Sequence, residues 1–373
     1  MREAQTSGYR LSRFILSFYG ILAAYGFLLV LFFVLRAGEG NDPVLLKIGS
    51  LQLRWYGLII TVGVVLAALV AQFLAERRGD NSDTIWVLLV VTLVSGLVLA
   101  RLWYVAFTWD NFKDSIFSIG NPLKAGGLEV WRGGIAIQGG ILGGVIGAWV
   151  YCRIAKLNFW RFADYGSVGL AAGLAIGRWG NFFNNEAYGR ETKYFFGIKI
   201  PCDYRTTGLT PGTVDLRCPP ANPSGLNSNA LFHPTFLYES LWVYAIFLAL
   251  FYIAMKPKTF ERRFKVRPRN GDLLLLFMVA YSIGRFLIEG LRTDSLYFGG
   301  EPSGLRVAQV VSLILILGGG FWLFYRHRQP TPDTEALSMR VAARVTPSEM
   351  KEPNSKENET RVEKETAESN EQE

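Results

Sequence analysis

Apolar residues in this chain come in long runs, without the alternation of a half-buried strand or the stripe of an amphipathic helix. Eight runs stand out: Phe14–Leu35, Trp55–Leu74, Thr84–Phe107, Gly134–Cys152, Ala163–Phe183, Phe236–Met255, Leu273–Leu291 and Val307–Tyr325. Each has the roughly 18 or more residues that a helix needs to cross a hydrocarbon core of about 30 Å. The pattern predicts an all-α polytopic membrane protein with about eight transmembrane helices. The first run has basic flanks (Arg2, Arg10, Arg13) and 22 nearly unbroken apolar residues. It is too long for a signal-peptide core, and no clear small-residue cleavage site follows, so it reads as a retained helix.

The polar intervals set the orientation. Arg77 and Arg78, then Arg153, Lys156 and Arg161, then Lys256, Lys258, Arg262, Arg263, Lys265, Arg267 and Arg269 share one side with the basic N-terminus if the spans number eight. Lys and Arg mark cytoplasmic loops, which puts both termini in the cytoplasm. Two segments then lie outside: an arm at Asp110–Arg132 and a small loop-rich extracytoplasmic head at Glu186–Thr235, rich in Gly, Pro, Asn and Thr. From Glu335 to Glu373 there is no aromatic residue, and Glu, Lys, Asn, Ser and Thr recur. Such a segment cannot bury enough apolar surface to offset chain entropy, so it reads as a disordered cytoplasmic tail. The expected organisation is an extra N-terminal helix and linker (1–42), a membrane domain (43–326, with arm 110–132 and head 186–235) and a charged tail (327–373).

Composition sharpens this without changing it. The chain is 50% hydrophobic and 19% charged, which excludes coiled-coil, collagen-like and disulfide-scaffold classes. Residues 327–373 hold eleven acidic and seven basic side chains, so the overall +8 hides a body of +12. A basic membrane body suits anionic lipid headgroups. No nucleic-acid recognition module is legible, and nucleic acid is not an expected partner. Cys152 reads as a small apolar filler. Cys202 and Cys218 share the outer head, where an oxidising compartment would permit a bridge; two unpaired loop thiols are the alternative.

Inside the runs, Gly139, Gly143 and Gly147, and again Gly169, Gly173 and Gly177, recur every four residues, the spacing that lets membrane helices approach closely. Arg101, Arg178, Glu239, Arg285 and Glu289 sit in or at the edge of spans. A charge at membrane depth is costly and usually marks a polar cavity or site. Arg285 and Glu289 are one turn apart on one helix face, as are Arg178 and Asn181. Structural ion pairing is the bland alternative. With only His233 and His327 and no zinc-type spacing, no metal is expected. No Gly-x-Ser-x-Gly elbow and no phosphate-cradling glycine loop occurs. The residues alone reach a cationic intramembrane pocket suited to an anionic lipid or solute.

The run Gly177-Arg178-Trp179-Gly180-Asn181-Phe182-Phe183-Asn184-Asn185-Glu186-Ala187-Tyr188-Gly189-Arg190 resembles the signature of the bacterial prolipoprotein diacylglyceryl transferases. Further matches follow the family's order: Arg54-Trp55-Tyr56-Gly57-Leu58, Gly133-Gly134 with Gly139-Gly140, His233-Pro234-Thr235 with Tyr238-Glu239, and Gly284-Arg285-Phe286 with Glu289 and Arg292. The resemblance implies transfer of the diacylglyceryl group of phosphatidylglycerol to the lipobox cysteine of a prolipoprotein signal peptide. It implies a bacterial inner-membrane enzyme without cofactor or metal. The family's catalytic positions fall on Tyr56, Arg178, Asn181, Glu186, Glu239, Arg285 and Glu289. Substrate binding is expected at Arg178, Gln138, Gly139, Gly189 and His233, with Arg178 on the lipid headgroup.

Two departures stand out. Many members of the family carry a histidine where this chain has Gln138, and an amide is no general base near neutral pH, although it can hydrogen-bond a substrate oxygen. The Phe14–Leu35 run is an addition before the family body. An anion transporter is the rival reading, but the internal repeats common in transporters are not seen. A non-catalytic scaffold would leave the in-span charges unexplained.

Overall fold

The computed structural model describes residues 22–23, 25–35, 42–49, 51–113, 126–127, 129, 133–205, 230–298 and 305–329. The helices are α1 (Tyr25–Leu35), α2 (Trp55–Arg77), α3 (Asp83–Phe107), α4 (Ile137–Ile154), α5 (Phe159–Gly177), α6 (Trp179–Phe183), α7 (Thr235–Met255), α8 (Pro257–Phe264), α9 (Asp272–Glu289) and α10 (Val307–Arg328). Five of them, α2, α3, α4, α7 and α10, are long and apolar enough to cross a membrane. The protein is therefore mostly helical, with the build of a multi-pass membrane protein. Helices α5 and α9 have 19 and 18 residues but bury ionisable groups: Asp164 on α5, and Asp272 and Glu289 on α9. The early part of the Phe14–Leu35 run and most of the charged tail lie outside the described residues. The chain divides into two compact units, Met1–Leu323 and Phe324–Glu373.

The expected run Ala163–Phe183 is corrected to two helices. Asn158 caps α5 by accepting the Arg161 N–H at 3.2 Å, which starts the helix at Phe159. At the other end the ladder changes pitch at Arg178. The Arg178 N–H still reaches Leu174 at 3.0 Å, whereas the Asn181 N–H turns back only three residues, to Arg178, at 3.2 Å. Arg178 is thus a joint between α5 and α6.

The all-α expectation also needs correction, because two small sheets are present. Strands β1 (Val44–Ile48) and β2 (Leu51–Arg54) form an antiparallel hairpin pairing Ile48 with Leu51. Gly49 makes the turn at φ +58°, a region open to glycine at no steric cost. Strands β3 (Glu191–Thr192), β4 (Ile198–Lys199) and β5 (Leu231–Phe232) form a sheet in the order β3-β5-β4.

Helix packing follows the glycines. A Cβ on Gly139 or Gly143 would overlap the carbonyls of Leu99 or Ser95 on α3, and one on Gly169 the carbonyl of Ala67 on α2. These contacts bring α4 against α3 and α5 against α2 at backbone distance, the use expected of the four-residue spacing. One core joins α2, α5, α7 and α9 through Val70, Leu74, Val168, Ala172, Val243, Phe247, Leu273 and Phe277. A second gathers Phe32, Trp179, Phe182, Tyr188 and Phe236. Arg101 belongs to the scaffold: it is buried and donates to the carbonyls of Gly126, Gly127, Gly133 and Gly134 at 2.5–2.8 Å. Cys152 is a buried free thiol. Cys202 is disulfide-bonded, and its expected partner Cys218 lies outside the described residues.

Candidate active site

Glu239, in the first turns of α7, is buried at 3% exposure, and three guanidiniums converge on it. Arg178, at the α5–α6 joint, brings Nε to 2.7 Å from Oε2. Arg285, near the end of α9, donates from Nη1 to Oε1, and Arg292 Nη1 lies 3.4 Å from the same oxygen. Arg285 Nη2 faces Glu289 Oε2 at 2.7 Å across one helical turn. Arg292 grips Asp294 with both arms of its fork, at 2.8 and 2.5 Å. Arg178 Nη2 donates to the Tyr281 hydroxyl at 2.9 Å.

Three arginines thus meet three carboxylates, and the pairing makes their burial tolerable. The pairing is incomplete in a telling way. Arg178 Nε, Glu239 Oε2 and Glu289 Oε2 are buried, and their close ion-pair contacts are not aligned as hydrogen bonds. A misaligned pair leaves direction available for another partner. Burial disfavours the charge of Asp294, but the donors and charge of Arg292 outweigh it and hold the carboxyl below its ordinary range. Burial likewise opposes the charge of Arg292, and Asp294 and Glu239 more than restore it.

Backbone bonds hold the motif segments together. The Gly189 N–H donates to the His233 carbonyl at 2.8 Å, Arg190 to Leu291 at 2.9 Å, and His233 to Arg190 at 3.0 Å. The Thr235 hydroxyl donates to the Ala187 carbonyl. Gly189 also forms a bridge with Arg292. A Cβ at Gly189 would lie 2.8 Å from the His233 Cβ and 3.0 Å from the Leu291 carbonyl, so glycine is demanded by space here. His233 Nδ1 meets the Tyr238 hydroxyl at 3.0 Å, and burial pushes the imidazole pKa down, which favours the neutral ring.

Glu186 stands apart from the arginines. Its carboxylate accepts from Asn181 Nδ2 at 2.8 Å and Asn184 Nδ2 at 3.4 Å and is exposed. Among the described residues no cation lies within ion-pair distance of it. Asn185 and Ala187 on either side both have φ +54°, a conformation that L residues seldom hold without a compensating reason. The Tyr56 ring packs over Gly180, and the charges of Glu186 and Arg178 both reach it.

Of the residues expected at a site, Tyr56, Arg178, Asn181, Glu186, Gly189, His233, Glu239, Arg285 and Glu289 form this connected neighbourhood. Gln138 and Gly139 do not join it. Gln138 is exposed in the first turn of α4, and Gly139 packs on Leu99 and Ala100. Among the described residues, no hydrogen bond or ion pair ties either to the cluster. Tyr281, Asp294 and the grip of Arg292 on Glu239 were not foreseen. Tyr281 stands four residues before Arg285, and that helical spacing was the available signal.

The motif order, the joint at Arg178 and the span-borne ion pairs agree with a wider comparison: residues 43–325 match the prolipoprotein diacylglyceryl transferases. The chain belongs to that family. Among its relatives, the phosphatidylglycerol–prolipoprotein diacylglyceryl transferase of Trichormus variabilis is 39% identical over 297 residues, covering 78% of this chain and 92% of that protein. The protein of the same name from Thermosynechococcus vestitus is 39% identical over 290 residues, 77% and 94% of the two chains. That from Chloroflexus aggregans is 40% identical over 305 residues, 80% and 94%. The family segment contains the whole ion-pair cluster, and helix α1 lies before it.

Proposed function

We propose that this chain transfers the diacylglyceryl group of phosphatidylglycerol to the thiol of a lipobox cysteine in a prolipoprotein signal peptide. The observation that carries the reading is the convergence of Arg178, Arg285 and Arg292 on Glu239, within helices that also hold the family's motifs. Both substrates are membrane-bound, an anionic lipid and an apolar helix, and a site on membrane helices receives them laterally. Glu239, Trp242, Tyr281, Gly284 and Arg285 line a tight crevice beside the cluster, which must widen to admit a headgroup.

In the proposed step the cysteine sulfur bonds to the glyceryl carbon that carries the phosphate oxygen. The C–O bond breaks, its electron pair leaves on that oxygen, and glycerol 1-phosphate departs. Arg178 and Arg285 turn from their misaligned carboxylates onto the phosphate, which a planar guanidinium fork fits bidentately. Fixed cations in a low-dielectric site stabilise the charge that develops on the leaving oxygen. Glu239 and Glu289 hold the two arginines in place while the site is empty. The thiol is the weaker partner, since only a few per cent of a thiol with pKa about 8.5 is ionised at neutral pH. Glu186, held by two amides and free of arginine, is the carboxylate that accepts its proton. Tyr56 and Asn181 orient that carboxylate and the incoming thiol.

The reading includes a bacterial inner-membrane location, eight spans with both termini cytoplasmic, and the 186–235 head outside. The basic loops on one side support it. The test uses the purified full chain with phosphatidylglycerol and a lipobox peptide, and follows glycerol phosphate release and the mass of the peptide. Release with a matching gain of one diacylglyceryl group is expected. A chain that releases nothing, or releases equally with a serine-for-cysteine peptide, overturns the proposal.

A further inference from the structure

Helix α1 precedes the family segment, yet it is not a loose appendage. Tyr25 and Phe32 are 2% and 0% exposed. Phe32 sits edge-on to Trp179, Phe182 and Phe236, with centroids 5.9–6.4 Å apart. Tyr25 stacks on Tyr244 at 3.9 Å with the rings nearly parallel, and stands edge-on to Trp179 at 6.4 Å. Its hydroxyl lies 2.8 Å from the Ser240 hydroxyl.

Ser240 follows Glu239, and Trp179 follows Arg178. The Ser240 hydroxyl donates to the Ala175 carbonyl at 2.6 Å and accepts from Trp179 Nε1 at 3.1 Å. A serine hydroxyl has one proton and two acceptor positions. With its proton committed to Ala175, Ser240 can only accept from Tyr25, so the phenol is the donor. The serine is then fully satisfied, and it links α1, α5, α6 and α7 at the residues next to the Arg178–Glu239 pair.

We propose that Tyr25 is a positioning residue: through Ser240 and Trp179 it holds the α5–α6 joint against α7, and so sets the angle between Arg178 and Glu239. The proposal rests on the transferase reading above. It makes α1, which the family segment does not include, a working part of the catalytic scaffold.

Tyr25→Phe tests it, because the ring and its stack on Tyr244 remain and only the donor is lost. Turnover, KM for the lipobox peptide and thermal unfolding are measured on the full chain in phosphatidylglycerol nanodiscs, for wild type, Tyr25→Phe, Ser240→Ala and the double variant. Removing one buried hydrogen bond is expected to lower kcat by about fivefold. KM should stay near wild type, the unfolding temperature should fall by no more than about 2–4 °C, and the double variant should be no slower than Ser240→Ala. Full turnover in Tyr25→Phe, additive losses in the double variant, or a loss of turnover that tracks loss of folded protein would each overturn the positioning role. An inactive wild-type chain would instead sink the transferase reading, a result distinct from all of these.

Discussion

Asp164 on α5 accepts the backbone N–H of Gly271 at 2.8 Å, across 107 positions of sequence. The Leu274 N–H reaches its other oxygen at 3.1 Å. Helix α9 has no side-chain cap of its own, since Gly271 stands at its N-cap. The cap comes from α5 instead, and it fixes the start of the helix whose far end presents Arg285 and Glu289. Asp164→Ala leaves the buried Gly271 donor unmet, a cost of roughly 1–3 kcal/mol, and the part-buried Leu274 donor adds less. Thermal unfolding in detergent should show a clear loss of stability, with Asp164→Asn in between. An unchanged melting curve for the alanine variant would remove this role.

Gly189→Ala is expected to be damaging for a steric reason. The added methyl meets the His233 Cβ, the Thr235 methyl and the Leu291 carbonyl at 2.8–3.0 Å, and two of those are backbone-proximal atoms with little freedom. The strand-like contact between Gly189 and Arg292 must open, and with it the hold of Arg292 on Glu239. Accumulation near wild type with strongly reduced glycerol phosphate release is the expected outcome. An active Gly189→Ala variant would show that this contact does not set the cluster.

Gln138→Ala should keep most of its activity. The amide is exposed, and among the described residues nothing joins it to the arginines. An amide cannot take a proton from the thiol at neutral pH. Gln138→His should likewise be tolerated. Loss of turnover in Gln138→Ala, at normal expression and lipid binding, would give the amide a direct chemical part.

Much of this was legible in the residues. Runs of apolar positions located α2, α3, α4, α7 and α10, because length and the absence of charge suffice for that. The glycine spacing foretold close helix packing on α4 and α5, though not that α3 and α2 would be the partners. The Arg285–Glu289 pair followed from helical periodicity. Partners from distant segments did not: nothing in the sequence says that Arg178 and Arg285 share one oxygen pair on Glu239, or that Tyr281 meets Arg178. The break at Arg178 was hidden because a tightened turn keeps the same apolar composition as the helix around it. The hairpin at Val44–Arg54 was hidden because short strands carry too few positions for a clear period. Gln138 and Gly139 were assigned by resemblance; Gly139 serves α4 packing on α3, and Gln138 is exposed beside it.

The sharpest prediction separates charge from shape at Arg178 and Arg285. Each sits in a helical region where a bare charge is costly, and each faces a buried glutamate. A lysine at either position keeps the positive charge that neutralises Glu239 or Glu289, so the protein should insert and fold. It lacks the planar fork that can hold a carboxylate with one arm and a phosphate with the other. Arg178→Lys and Arg285→Lys are therefore expected to accumulate near wild type and lose turnover by roughly 10²-fold, the scale of removing one donor from a developing oxyanion. Gln at Arg285 takes the ion-pair partner from buried Glu289 and should reduce both accumulation and turnover, while Gln at Arg178 leaves Glu239 to Arg285 and Arg292 and should cost turnover more than accumulation. A purely structural ion pair predicts the reverse separation, with lysine near wild type in both measurements and glutamine failing to accumulate. Protein level and glycerol phosphate release, measured together for the four variants, decide the matter, and a well-expressed, active lysine variant at both positions would sink the catalytic reading of the cluster.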